Sequence, residues 1–110
     1  MTYAVYVQDG EFIDYTPTSA VAAGDVVVQG EMVGVARTPI AANALGSLAI
    51  VGVFEFAKAN PDATLTIGVN AYWDATNKVA TSVSTANKLI GKVVRGAGNT
   101  DTTVRVRLLQ

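Results

Sequence analysis

The chain contains 110 residues, half of them apolar, and its formal net charge of −1 at pH 7 is close to zero. Its eight Lys and Arg residues are spread along the sequence, so the basic patch that phosphate binding requires is not expected and no nucleic-acid partner is predicted. His and Cys are both absent, which excludes a Ser-His-Asp or Cys-His catalytic arrangement within one chain and a zinc site of the usual Cys/His kind.

Short β-branched runs separated by Gly, Asn, Asp and Pro dominate the sequence and predict strands. No window keeps an apolar stripe at helical spacing for the roughly twelve residues that a typical helix needs. In the first half, the predicted strands are residues 3–8, 11–16, 26–28, 32–36 and 47–56. Asp9-Gly10 is a turn dipeptide of the type that favours positive φ, and Pro17 begins a linker of small residues.

The longest predicted strand, residues 47–56, is apolar on both of its faces. One face carries Leu48, Ile50, Phe54 and Phe56, and the other carries Ala49, Val51 and Val53. A strand that is apolar on both faces is usually buried on both faces. In a domain of this size, that pattern predicts either a closed barrel or a subunit interface.

The second half of the chain continues the pattern of short strands and turns. The predicted strands there are residues 64–73, interrupted by Gly68, then 79–83, 89–95 and 103–108. Residues 74–77 carry oxygen ligands but predict a tight hairpin turn, and residues 96–99 predict another turn. The last strand alternates cleanly: the expected inward residues are Val104, Val106 and Leu108, and the expected outward residues are Thr103, Arg105 and Arg107.

Together these elements predict an all-β fold, a small β-barrel or β-sandwich with short strands, tight turns and little or no helix. Residues 1–110 are expected to form a single β domain, with residues 1–16 as a candidate extended N-terminal arm. Charged residues make up 15% of the chain, well below the usual ~25%. Either a valine- and alanine-rich core accounts for this composition, or part of the apolar surface is covered by copies of the chain or by a partner.

The residues that remain for chemistry predict no catalytic, cofactor or metal site, and the chain is not expected to be an enzyme. Asp9, Glu11 and Asp14 lie close in sequence, but they flank a glycine turn, where acidic residues commonly serve turn geometry and solubility. Gly91-Lys92 is followed by Val93, so the phosphate-binding P-loop pattern is absent.

No part of the sequence predicts contact with a membrane. No apolar run reaches the ~20 residues that a membrane-spanning helix requires. Residues 1–9 have neither the basic nor the long apolar region of a signal peptide, so synthesis in the cytoplasm is expected.

Two groups of side chains are candidate contacts with a partner or with another subunit. The aromatic group lies in the first sixteen residues and consists of Tyr3, Tyr6, Phe12 and Tyr15. These aromatics either anchor the chain to a partner or cap one end of a barrel. Arg105 and Arg107 either pair with acidic residues of a partner or form the solvated face of an edge strand.

Several blocks of the sequence resemble the small capsid cement (decoration) proteins of phages. The similar blocks are residues 6–16, 23–28, 33–36, 52–55 with Lys58, 72–79, 90–91 and 103–108. The most specific of them is residues 72–79, Tyr-Trp-Asp-Ala-Thr-Asn-Lys-Val. Some members of this family once carried a RecA/RadA-like recombinase label, and the missing P-loop speaks against that activity here.

The resemblance implies a structural virion protein that binds the outer surface of the phage head and bridges major capsid subunits. It also implies a β-rich homo-oligomer, with a homotrimer favoured over a dimer, that is made in the host bacterial cytoplasm and located on the capsid surface. Residues 2–15 are then expected to form part of the shell-facing contact. The alternatives are an interaction module of a tail or spike, a DNA-acting recombination protein, and a carbohydrate-binding module using Tyr72 and Trp73.

Overall fold

The computed structural model describes residues 3–59, 61–62 and 64–109, in which the chain forms nine strands. The strands are β1 (Phe12–Tyr15), β2 (Val26–Gln29), β3 (Met32–Val35), β4 (Gly46–Ala49), β5 (Gly52–Ala57), β6 (Asn70–Asp74), β7 (Val79–Thr81), β8 (Lys88–Arg95) and β9 (Thr103–Leu108). The described residues include no helix that is long and apolar enough to cross a membrane. The predicted all-β fold of short strands is confirmed.

The strands form two antiparallel sheets. The smaller sheet has the order β1-β4-β3-β2, and the larger sheet has the order β5-β9-β8-β6-β7. A single parallel bridge between Lys58 and Ala80 brings the chain after β5 against β7, so the larger sheet curls without closing into a barrel. The two sheets share one buried cluster, so the sandwich form of the prediction describes the fold.

The smaller sheet has apolar residues on both faces because it contributes to two cores. Val33 and Val35 of β3 lie in the main cluster with residues of every strand of the larger sheet. On the other face, Ile40 and Leu48 belong to a second buried cluster. Ile13 and Tyr15 of β1 pack against this cluster. Strand β2 follows the same division, since Val26 and Val28 pack against the main cluster and Val27 against the second.

The prediction of one long strand over residues 47–56 is wrong. The chain leaves the smaller sheet after Ala49 and enters the larger sheet at Gly52, whose φ of 126° is a conformation that L side chains rarely adopt. Burial on both faces holds for Leu48 and Ala49, but Val51 is 48% and Val53 55% exposed. These two valines lie on the outside of the larger sheet, which none of the described residues covers.

One other predicted strand is absent from the structure, and another is shortened. Residues 3–8 form no strand and are in no ladder with the described residues. In the predicted strand over 64–73, only Asn70 onward forms a strand, because the chain turns at Gly68 with a φ of 90°. The turn at Asp9-Gly10 is present, but it is a three-residue turn in which the Glu11 amide donates to the Asp9 carbonyl oxygen (2.9 Å), and Gly10 does not have positive φ.

The turn between β6 and β7 is confirmed, and its geometry is set by one carboxylate. Asp74 accepts hydrogen bonds from the backbone amides of Thr76 (3.0 Å) and Asn77 (3.1 Å) and from the side-chain amide of Asn77 (2.8 Å). The bonds from the backbone and then the side chain of Asn77 favour the charged form and hold the pKa of the Asp74 carboxyl below its usual value. The Asp74 carboxylate therefore makes its hydrogen bonds to residues of the turn that contains it.

A close backbone approach fixes the pairing of β8 with β9. Gly91 lies opposite Leu108, and a Cβ atom added at Gly91 would lie 1.8 Å from the carbonyl oxygen of Arg107 and 2.7 Å from the amide nitrogen of Leu109. No side chain fits at this distance unless the strands separate. Only glycine can therefore occupy position 91 in this register.

Replacing Gly91 with alanine is expected to destabilise the fold by at least about 3 kcal/mol, because the methyl group forces β8 away from β9. Urea unfolding measures the change. Gly10→Ala is the matched control, since a Cβ at Gly10 meets no atom within 4 Å. Equal midpoints for the two variants would contradict this account of the strand pairing.

Asp74→Asn is expected to be less stable than the wild type at neutral pH. A folded-state pKa below the unfolded value contributes stability that is present above the unfolded pKa and lost as the pH falls through the folded pKa. The difference between wild type and variant should therefore shrink on acidification, as measured by urea unfolding from pH 7 to pH 3. Asp14→Asn makes the same charge change at an exposed position of β1 and serves as the control. A difference that stays constant with pH would reject this role of the carboxylate.

Candidate interaction surfaces

Residues 3–11, here called the N-terminal arm, extend from β1 with little contact to the rest of the chain. Tyr3 is 90% and Tyr6 77% exposed. The radius of gyration, 14.9 Å, exceeds the ~13 Å expected of a compact chain of this length. The arm is held at its base, where the Ile50 amide donates to the Glu11 carbonyl oxygen (3.0 Å). Residues 1 and 2 of the predicted arm lie outside the described residues.

Hydrogen bonds within the arm and to the start of β1 give it local order. The Tyr6 hydroxyl donates to a carboxylate oxygen of Asp9 at 2.6 Å, and this bond raises the pKa of the phenol. The side-chain amide of Gln8 donates to the carbonyl oxygen of Phe12 at 2.6 Å. Neither bond covers the apolar side chains of Val5 and Val7, which remain exposed.

The structure divides the four predicted aromatic contacts between the surface and the core. Tyr3 and Tyr6 lie on the arm, free of the core. Phe12 is partly exposed, and the Arg37 guanidinium lies 5.9 Å from its ring centroid, a cation–π contact. Tyr15 packs against the second cluster. The aromatics therefore do not form one patch, and Tyr15 anchors β1 to the core.

The outer side of the larger sheet carries a group of cations that we call the basic face. Its members are Lys92, Arg95, Arg105 and Arg107. Arg105 and Arg107 point outward because Val104 and Val106 are buried, as the alternation predicts. Strand β9 lies between β5 and β8, so the expectation of an edge strand is wrong.

The strand register places these cations directly opposite one another. Lys92 pairs with Arg107, and Arg95 pairs with Arg105 across β8 and β9. The Arg105 Nε atom lies 3.7 Å from an oxygen of Glu55 on β5, and the Lys92 ammonium donates to the side-chain oxygen of Asn70 on β6. The pairing of β8 with β9 creates this face, since two of its cations lie on β8 and two on β9.

A cleft of about 550 Å³ opens between β2 and β5, which are edge strands of the two sheets. Apolar side chains of Val26, Val28 and Phe54 line it, together with the edge of the main cluster. Trp73 lies at its base and is only 8% exposed, with its ring centroid 6.0 Å from that of Phe56 and tilted by 57°. Trp73 is therefore a core residue, and its ring is not a platform on which a sugar could stack.

The acidic residues of the arm and of β1 form no metal site. Among the described residues, no group of three or more His, Cys, Asp or Glu side chains could hold a metal ion. Asp9 accepts its hydrogen bond from Tyr6, and Asp14 lies outward on β1.

Lys58 is the single charged side chain that is buried among the described residues, with 4% exposure. Its ammonium donates to the carbonyl oxygens of Ala59 (2.8 Å), Asn99 (3.3 Å) and Asp101 (3.2 Å). These bonds use the three donors of the ammonium group and tie the loop before β9 to the end of β5. The amine is thus engaged in structure, and nothing in the composition or pattern alone distinguished it from a surface lysine.

The family model described as phage cement protein matches residues 7–108 of the chain. The match includes β1 to β9 and the whole basic face, whereas Tyr3 and Tyr6 precede it. No curated protein and no solved structure matches the chain.

Replacing Lys58 with methionine is expected to destabilise the fold by about 3 kcal/mol, because the carbonyl groups of Ala59, Asn99 and Asp101 lose a charged donor. Urea unfolding checks the value, and Lys78→Met, at an exposed turn position, is the control. The assignment of Lys58 to structure would be abandoned if both variants unfolded at the same urea concentration.

Proposed function

The chain belongs to the phage cement protein family, and on that basis we propose that it binds the outer surface of the phage head and bridges neighbouring major capsid subunits. The family is one of structural virion proteins that associate with the capsid. In this proposal the protein acts by adhesion, and no reaction takes place on it.

The observation that carries the proposal is the exposed apolar arm. Tyr3, Val5, Tyr6 and Val7 all project from the folded sheets, and such a contiguous apolar segment marks an interaction site. Nine extended residues span up to ~30 Å, enough to reach beyond the protein's own footprint. An extended segment with apolar side chains at alternate positions is also suited to adding a strand to a neighbouring sheet. We therefore assign the arm, with Phe12 at its base, to the shell contact.

Self-association forms the second part of the proposal. We propose a homotrimer, with a dimer as the other symmetric arrangement. Each arm then contacts a different shell subunit, and modest individual contacts combine into tight attachment. Apolar loop residues that remain exposed outside the arm and the basic face support contacts between copies. They are Leu45, Ile67 and Val83.

Deletion of residues 3–7 should reduce binding to expanded capsids that lack the protein by more than about tenfold, because the aromatic and aliphatic anchors are removed while β1 remains. Co-sedimentation with capsids measures the bound fraction. Lys78→Gln, a substitution at an exposed turn position outside the arm, is the control and should bind like the wild type.

Thermal release of DNA from heads with and without the protein completes the test. Heads decorated with the wild type should withstand a higher temperature than heads decorated with the deletion variant. Undiminished binding of the deletion variant would remove the arm from the proposal. Equal heat resistance with and without the wild-type protein would reject the cement function itself.

A further inference from the structure

We infer that the basic face is a second binding surface, and that its partner is a carboxylate-rich protein surface on the phage shell. The identity of the partner as the shell rests on the proposed function. The chemistry of the partner rests on the charges, the strand register and the aliphatic residues described here.

The charge of the chain is distributed unevenly between the basic face and the rest. Four cations and Glu55 give the basic face a charge of 4 − 1 = +3, while the whole chain carries −1, so all the other residues together carry −1 − 3 = −4. Half of the eight Lys and Arg residues therefore lie on one side of one sheet. A surface of this kind attracts a negative partner, although the protein as a whole is slightly acidic.

The basic face is electrostatically unfavourable in the isolated chain. Like charges directly opposite each other on neighbouring strands destabilise a sheet, and two such pairs lie side by side here. Among the described residues, neither Arg95 nor Arg107 has an acidic partner within ion-pair distance. A partner that brings carboxylates would relieve the repulsion, since guanidinium groups bind carboxylates with two parallel hydrogen bonds.

The aliphatic residues around the cations favour a protein over a nucleic acid. Val53 pairs with Arg107 on the same outward side, and Val51 and Leu109 continue the outward pattern of their strands. Surfaces that combine arginine with exposed apolar groups are typical of protein interfaces. A phosphate backbone would leave these aliphatic groups without a partner and would lie against the carboxylate of Glu55.

A second copy of this chain is a poorer partner, because most of its carboxylates are already used. Outside the basic face, six of the eight acidic residues accept hydrogen bonds or form ion pairs within the described chain. They are Asp9, Asp25, Glu31, Asp62, Asp74 and Asp101. The others, Glu11 and Asp14, lie at the base of the arm and on β1, where the proposed function places the shell contact. The carboxylates that the basic face needs therefore come from another protein.

The test uses the double variant Arg95→Gln/Arg107→Gln, which removes the two unpaired cations and relieves both like-charge pairs. It should unfold at the same urea concentration as the wild type or a higher one. Its binding to expanded capsids that lack the protein should fall by about tenfold at low salt. The wild type should lose the same affinity when the salt concentration is raised, whereas the variant should be nearly insensitive to salt.

Two controls identify the partner. Arg107→Gln and Lys78→Gln change the net charge equally, and only the former should weaken capsid binding, since Lys78 lies outside the basic face. Capping the carboxylates of the capsids with carbodiimide and ethanolamine should weaken binding of the wild type but leave the double variant unchanged.

Each remaining outcome has a distinct meaning. If the wild type binds capsids and the double variant binds them equally well, the inference is overturned and the proposed function is left intact. Wild type that fails to bind capsids would overturn the proposed function and the assignment of the partner to the shell. The choice of partner would be overturned if the protein bound duplex DNA and this binding required Arg95 and Arg107. It would also be overturned if the double variant changed its oligomeric state without losing capsid binding.

Discussion

The register of β9 between β5 and β8 is the constraint on which the rest of the structure depends. Side chains alternate between the faces of a strand, so a slip of one residue would turn Arg105 and Arg107 into the core and expose Val104 and Val106. The close approach of Gly91 to the backbone of β9 allows the observed register, and the six residue pairs between β5 and β9 support it from the other side. One alignment of three strands thus determines both the core and the charge of the outer face.

The molecule combines few charges with two outward surfaces of different chemistry. The N-terminal arm leaves β1, at the edge of the smaller sheet, and carries aromatic and aliphatic side chains. The basic face lies on the outside of the larger sheet and combines cations with aliphatic groups. The proposed bridging of subunits requires at least two contact regions, and these two surfaces are carried by different sheets. The second cluster packs beneath the smaller sheet, and Ile13 and Tyr15 fix β1, from which the arm extends, against it.

The sequence predicted those parts whose signal is local. The alternation of residues 103–108 and the Asp74 turn were both predictable, because each depends on neighbouring residues only. The crossing at Gly52 escaped prediction because the inward residues keep the same alternate spacing before and after it, as Leu48 and Phe54 show. Residues 3–8 have a strand pattern, but a strand also requires a partner, and no strand of the described part of the chain pairs with them. The outward direction of Arg105 and Arg107 was predictable, but their union with Lys92 and Arg95 was not, since it depends on the pairing of β8 with β9.

The position of β9 within the larger sheet has a consequence for biosynthesis. In that sheet β5 lies next to β9, which is translated some fifty residues later. Until residues 103–108 have left the ribosome, β9 cannot fill the space between β5 and β8, so the larger sheet is completed after most of the polypeptide has been synthesised. Such distant pairings raise the contact order and slow folding, and a nascent chain that stops before β9 would keep its valine-rich strands open to aggregation.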